Sequence, residues 1–173
     1  EARRVAFHQV LGVRVLRALG ITPSVWHINE GHAAFLVLER CREQVAHGRS
    51  FAAALEQVAA ATLFTTHTPV PAGHDVFDRA LIEPYLKELA HQLGVGMDEV
   101  MALGQSPGQE SRFNMTALGL RGSRFQNGVS RIHGEVASQM EAYHWPQIPP
   151  PENPIGHVTN GVHVMTFLAS EWV

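Results

Sequence analysis

Residues 61–68 read Ala-Thr-Leu-Phe-Thr-Thr-His-Thr. This run of β-branched and aromatic side chains suits a pleated strand better than a helix. Pro69, Pro71 and Gly73 follow at once and force a loop. Upstream, 24–29 (SVWHIN) is a second short β-prone run. Between the two, 31–47 reads as a helix with Glu39 and Glu43 one turn apart, and 51–60 as an alanine-rich helix. Strands separated by helical segments imply an α/β layer architecture around a parallel sheet, because parallel neighbours need a crossover between them.

The pattern continues toward the C-terminus. Leu81, Tyr85, Leu86 and Leu89 give 77–93 helical periodicity, with Pro84 placed to displace its start. A short helix is expected over 98–103, capped by Asp98, and two more over 114–121 and 129–143, divided by the turn signal Asn127-Gly128. Five prolines in 145–154 make a surface loop, and 157–164 (HVTNGVHV) reads as a third strand broken at Asn160-Gly161. No repeat of 20–50 residues is present. At the other end, 3–19 reads as a helix ended by Gly20. Phe7, Val10, Leu11, Val13, Val15, Leu16 and Leu19 surround most of it, leaving Arg3, Arg14 and Arg17 as its polar sector. Such a helix expects burial on several sides, and the chain, opening on Glu rather than Met, reads as a fragment.

Composition narrows the function. With 45% hydrophobic and 17% charged residues the chain builds a core and is not a disordered tail. A formal net charge of -3 argues against a polyanion-binding surface, so nucleic acid is not an expected partner. No apolar run reaches the roughly 18 residues of a membrane span. The single cysteine, Cys41, excludes an internal disulfide and fits a reducing, cytoplasmic compartment. Of 13 basic residues only Lys87 is a lysine, so Schiff-base chemistry has one candidate.

Three polar clusters follow the three strands: Asn29-Glu30-Gly31-His32, the stretch from His67 to Asp75, and Thr159-Asn160-Gly161-Val162-His163. In open parallel sheets ligands sit beyond the carboxyl ends of the strands. Clusters converging there make a cleft of amide, carboxylate and imidazole groups suited to a ligand made of hydroxyls, with Gly31 and Gly73 admitting close backbone approach. Plainer readings stand beside this one. Asn29 is also a good helix cap, His32 and His67 also suit core positions satisfied by carbonyls, and Asn160-Gly161 is also an ordinary turn. A zinc site would need His67, His74 and Asp75 to fold together. The chain has no HExxH, no helical i,i+4 histidine pair and no thiolate pair. Phosphate-cradling GxxxxGK[ST] and GxGxxG patterns are missing as well.

Four blocks, WHINEGHAAFLVLER (26–40), FTTHTPVPAGHDVF (64–77), FNMTALGLRGSRFQNGVSRIHGEV (113–136) and HVTNGVH (157–163), resemble in that order the α-glucan (glycogen, starch, maltodextrin) phosphorylases. The likeness is greatest to the bacterial branch reading NEGH and THTPVPAGHD, and it spans essentially the whole chain. The resemblance implies part of a GT-B glycosyltransferase fold of two Rossmann-like domains, with residues 1–173 a partial N-terminal domain. It implies cleavage of a terminal α-1,4-glucan bond by phosphate to give α-glucose 1-phosphate, with pyridoxal phosphate as cofactor. By the same resemblance His67 is the catalytic-site histidine whose main-chain carbonyl lies against the sugar and whose side chain contacts a hydroxyl. Asn29, Glu30 and His32 are the accompanying substrate-binding residues. By the same resemblance the Asn127–Glu135 block is expected to build a helix packed beside the cofactor and the cleft, with no direct contact assigned to it. The cofactor lysine is not among the matched blocks, and Lys87 is expected to be a solvated surface lysine. The parent is expected to be a cytoplasmic homodimer and the fragment alone inactive. A non-catalytic glucan-binding module and a metal-dependent hydrolase are the other readings.

Overall fold

The computed structural model describes the backbone of residues 2–172 and the side-chain surroundings of residues 10–169, 171 and 172. In chain order the elements are α1 (Ala2–Ala18), β1 (Trp26–Asn29), α2 (Phe35–Ala46), α3 (Phe51–Ala60), β2 (Thr62–Thr65), β3 (Val76–Asp78), α4 (Arg79–Leu93) and α5 (Met97–Leu103). They continue with β4 (Arg112–Asn114), α6 (Met115–Arg121), β5 (Phe125–Gly128), α7 (Arg131–Met140), β6 (Ile155–His157) and α8 (Val164–Phe167). The main sheet has the order β1-β2-β5-β6 and is parallel throughout. The expected α/β architecture is therefore present.

Alternation along the strands sets the two faces of the sheet. Ile28, Phe64 and Ile155 turn inward into one core with Phe35, Leu38, Val58 and Leu118 from the helices and Phe113 from β4, and Trp26 is buried on the same face under Arg17 and Arg40. His27, Asn29 and Phe125 stand exposed on the other face. Local signals fix several boundaries. The Ser50 hydroxyl accepts a hydrogen bond from the Ala53 amide (3.3 Å) and starts α3, and the Asn114 side chain accepts from Thr116 N (2.9 Å) and starts α6.

Four expectations are corrected. Asn127-Gly128 is not a turn between helices but the end of the interior strand β5. The Asn127 side chain accepts from Thr65 and donates to the Gly128 carbonyl, so it is satisfied inside the sheet. Residues 76–78 are not the first turn of α4. They pair antiparallel with 112–114, a small second sheet absent from the sequence reading, and Pro84 lies within α4 without moving its start. α5 begins after Gly96 with no side-chain cap, and Asp98 instead binds Arg79. The third expected strand ends at His157, so Asn160-Gly161 lies beyond it.

α1 is less buried than expected. Val13 is buried, but Leu11, Val15 and Leu19 are exposed, and Arg14 and Arg17 of its polar sector reach α2. Arg14 donates to Glu39 (2.8 Å) and Arg17 to Glu43 (3.0 Å) on α2. Glu39 is fully buried and also accepts two hydrogen bonds from Arg42, so it demands cations and thereby selects the face α1 presents. Arg3 and Phe7 lie outside the described side chains. Burial alone pushes the Glu39 carboxyl up, but the hydrogen bonds from Arg42 and Arg14 together outweigh it and hold it below the usual carboxylate range. Glu39→Ala is expected to cost about 2–4 kcal/mol at neutral pH. Because the folded-state value is depressed, that cost shrinks as pH falls through it into the acid range. Urea unfolding of both proteins across pH checks this; a pH-independent difference would refute the ion-pair origin.

Candidate active site

The carboxyl ends of β1, β2 and β5 and the segment after β6 enclose a cavity of about 300 Å³ lined by His27, Asn29, Leu63, Thr65, His67, Asn127, Val158 and Asn160. This size lies at the lower end of small-molecule sites, roughly 300–1,000 Å³. A larger cleft of about 570 Å³ runs between α7 and the proline-rich loop, lined by residues such as Arg131, Glu135 and Pro150. It gathers none of the residues expected to act, so the smaller cavity is the candidate.

A relay of side chains crosses three strands at its floor. His27 Nε2 lies 2.7 Å from Thr65 Oγ1, and the Thr65 hydroxyl donates to Asn127 Oδ1 at 2.9 Å. With that proton committed, His27 Nε2–H is the donor in the first contact. At the rim, His67 Nε2 lies 2.6 Å from Asn29 Oδ1. An amide oxygen only accepts, so the ring donates from Nε2 and a neutral imidazole keeps Nδ1 as an acceptor. Asn29 is therefore a partner of His67 and not a cap, and His67 is exposed and not a core histidine.

Glu30 holds this arrangement in place. One carboxylate oxygen accepts from His67 N (2.7 Å) and Thr68 Oγ1 (3.0 Å), and the other from Gly31 N (3.1 Å). Its amide also donates to the Thr65 carbonyl (2.8 Å). To do so Glu30 adopts φ 72° and ψ 163°, a region essentially reserved for glycine, and among the described residues it is the one non-glycine with positive φ. Farther along the loop, His133 accepts from Val129 N at Nδ1 (3.2 Å) and so donates from Nε2 to the Thr68 carbonyl (3.1 Å).

Gly31 and Gly73 serve packing and not ligand approach: a Cβ on Gly31 would lie 2.9 Å from Thr116 Oγ1, and one on Gly73 2.8 Å from Thr68 Cγ2. His32 is exposed on the 3-10 turn Gly31–Ala33 and does not line the cavity. Asn127, to which no contact was assigned, lines it, as do Thr65 and Asn160. Asn160 belongs to the third polar cluster and was legible as such; Thr65 and Asn127 carried no signal beyond their neighbours in sequence.

The zinc alternative is not assembled. His67 binds Asn29, whereas His74 faces Glu141, its Nε2 3.4 Å from Oε1. Among the described residues no group of three or more His, Cys, Asp or Glu side chains is arranged to hold a metal ion. Lys87, the one lysine, is exposed on α4 and does not line the cavity, so these residues do not by themselves fit pyridoxal phosphate.

Strain and grip at Glu30 can be separated by two substitutions. Glu30→Gly removes the carboxylate but relaxes the backbone, whereas Glu30→Ala removes the carboxylate and keeps the strain. The alanine variant is expected to be the less stable of the two by about 1–3 kcal/mol, and both less stable than the native chain. Denaturant midpoints decide; equal stability of the two variants would mean the backbone at Glu30 carries no strain.

No profile of a known protein family matches the chain. Individual proteins do. It is 44% identical over 160 residues to the maltodextrin phosphorylase of Thermococcus litoralis, an alignment covering 92% of this chain and 19% of that protein. It is 42% identical over 174 residues to the glycogen phosphorylase of Mycobacterium tuberculosis (94% and 20%), and 34% identical over 160 residues to that of Aquifex aeolicus (92% and 23%). The chain thus spans about a fifth of the length of these relatives. Along more than nine-tenths of its own length, it matches a fragment of the glycogen and maltodextrin phosphorylases.

Proposed function

We propose that this chain supplies the sugar-side wall of an α-1,4-glucan phosphorylase site, in a protein that converts glucan and phosphate to α-glucose 1-phosphate and a shortened glucan. The observation that carries the reading is the His67–Asn29 pair at the rim of a polar cavity beyond the ends of parallel strands, in a chain matching phosphorylases along nearly its whole length. In this reading His67 Nδ1 and the amides of Asn29 and Asn160 meet sugar hydroxyls. The His67 main-chain carbonyl faces the positive charge that develops as the glycosidic bond breaks. Glu30 fixes the His67 backbone and does not itself bind sugar, and His32, outside the cavity, has no part.

Pyridoxal phosphate supplies the phosphate acid–base partner in this reading, held by residues other than those described. In this reading the chain is part of the N-terminal domain of a two-domain glycosyltransferase of the GT-B type, and the parent is a cytoplasmic homodimer. No helix among the described residues is long and apolar enough to cross a membrane, and a net charge of -3 offers nucleic acid no basic surface.

Glucose 1-phosphate release from a maltooligosaccharide plus phosphate, with pyridoxal phosphate present, tests the reading. Activity is expected from the full natural polypeptide and none from the 173 residues alone. In the full polypeptide His67→Ala is expected to lower kcat/KM by about 10–1,000-fold, the range for losing an oriented polar contact to a reacting group. His91→Ala, exposed on α4, is expected to change it less than about twofold. Equal effects of the two would remove the 66–75 loop from the site.

A further inference from the structure

Behind the loop that carries His67 lies a group of buried polar side chains that no step above uses. Glu141 follows α7 and is 1% exposed; neither of its carboxylate oxygens has a hydrogen-bond partner. His74 Nε2 lies 3.4 Å from Oε1 and His144 Nε2 3.6 Å from Oε2; these side chains are 5% and 4% exposed, and both nitrogens also lack partners. Native proteins rarely leave so many buried polar atoms together without a reason. A cavity of about 250 Å³, lined by His74, Ser106, Asn114, Glu141 and Tyr143 among others, connects the group to solvent.

The loop 66–75 joins this group to the candidate site. At one end Glu30 holds the amide of His67; at the other, His74 is pressed against Glu141, and between them His133 holds the Thr68 carbonyl. We propose that Glu141 is a positioning residue: as a neutral acid packed between His74 and His144 it anchors the far end of the loop, and its ionisation loosens the loop and so displaces His67.

Every charge that faces Glu141 bears on this. Glu30 approaches from the turn after β1, His74 from the loop after β2, and Tyr143 and His144 from its own turn; behind them Asp75 acts on His74, and Arg121 of α6 acts on Tyr143 and His144. Burial raises the Glu141 carboxyl to about 7; the nearby Tyr143 hydroxyl pulls the other way, and Glu30 adds a lesser upward push. Burial lowers His144 to about 3, with Arg121 and His74 adding to the shift, and burial also depresses His74. Near neutrality both imidazoles are thus uncharged and offer Glu141 no counter-ion. A carboxyl whose folded-state value is raised stabilises the fold less as pH climbs from the ordinary carboxylate range toward that value. Above it the proton leaves through the cavity, and a buried anion remains beside a second carboxylate.

The test is amide hydrogen exchange of segment 66–75 in the full natural polypeptide, corrected for intrinsic chemistry, from about pH 6 to about pH 8. Protection of the loop is expected to fall at least tenfold over this range relative to α3, and Glu141→Gln, which mimics the neutral acid, is expected to keep the low-pH pattern throughout. A loop whose protection does not change, or a variant that changes as the native protein does, overturns the proposal. Should the variant fail to fold, the native protein decides. A carboxylic-acid infrared band disappearing with the same midpoint as the loop transition supports the proposal, and no band or a different midpoint refutes it. The consequence for turnover rests on the phosphorylase reading. KM for a maltooligosaccharide is expected to rise about tenfold across the transition, as for one lost hydrogen bond, and to stay flat in Glu141→Gln. An inactive protein whose loop still shows a transition abolished by Glu141→Gln would sink the phosphorylase reading and spare the positioning role. An active protein without a loop transition would do the reverse.

Discussion

One carboxylate, that of Glu30, ties two segments of chain together, and the candidate site depends on that tie. β1 and β2 are already neighbours in the sheet, but strand pairing ends at Asn29 and Thr65. Beyond those residues the chains would diverge, one into a 3-10 turn and the other into a proline-rich loop. Glu30 reaches across and accepts from the backbone of His67 and the hydroxyl of Thr68 while bracing its own next residue. Acceptance by a charged oxygen makes these bonds stronger than neutral ones. That strength is the natural counterweight to a backbone conformation few side chains tolerate.

The histidines show how one residue type is put to different uses in one loop system. His67 is exposed at the cavity with a polar partner, His133 is a structural strut between two main-chain groups, and His74 and His144 are buried against an acid. The distinction lies in what each ring nitrogen meets and not in proximity along the chain: His67 and His74 belong to the same loop yet face different environments. For the same reason the ligand set imagined for zinc never forms.

Much of the fold was legible because its signals were local. Ser50 and the alanine-rich run after it mark α3 at both ends, and the β-branched run through Thr65 marks β2. The polar clusters after β1 and β2 pointed to the cavity because carboxyl ends of parallel strands are where such groups converge. The failures were non-local. β5 carries Asn-Gly, which reads as a turn when isolated, and pairing with β2, 62 residues earlier at Thr65, and with β6 makes Asn127 a strand residue. The orientation of α1 was hidden because its apolar residues outnumber its arginines, while one buried glutamate on another helix decides which side turns inward. Glu141 was invisible for the same reason, since nothing near it in sequence announces that it ends up dry. Of the residues singled out for the candidate site, Asn29 and His67 line the cavity and His32 does not.

The relay from His27 through Thr65 to Asn127 has a consequence for the order in which the protein assembles. β1, α2, α3 and β2 form one short crossover unit, whereas β2 meets β5 only after a much longer stretch of chain has been gathered in. Closing the longer loop costs more entropy, and contacts distant in sequence are slow to form. The rim pair of His67 and Asn29 belongs to the early unit, but the cavity floor exists only once the late strand has docked in register. The candidate cavity is therefore completed by a contact of longer range than the rim pair, and its floor depends on the docking of β5 in register.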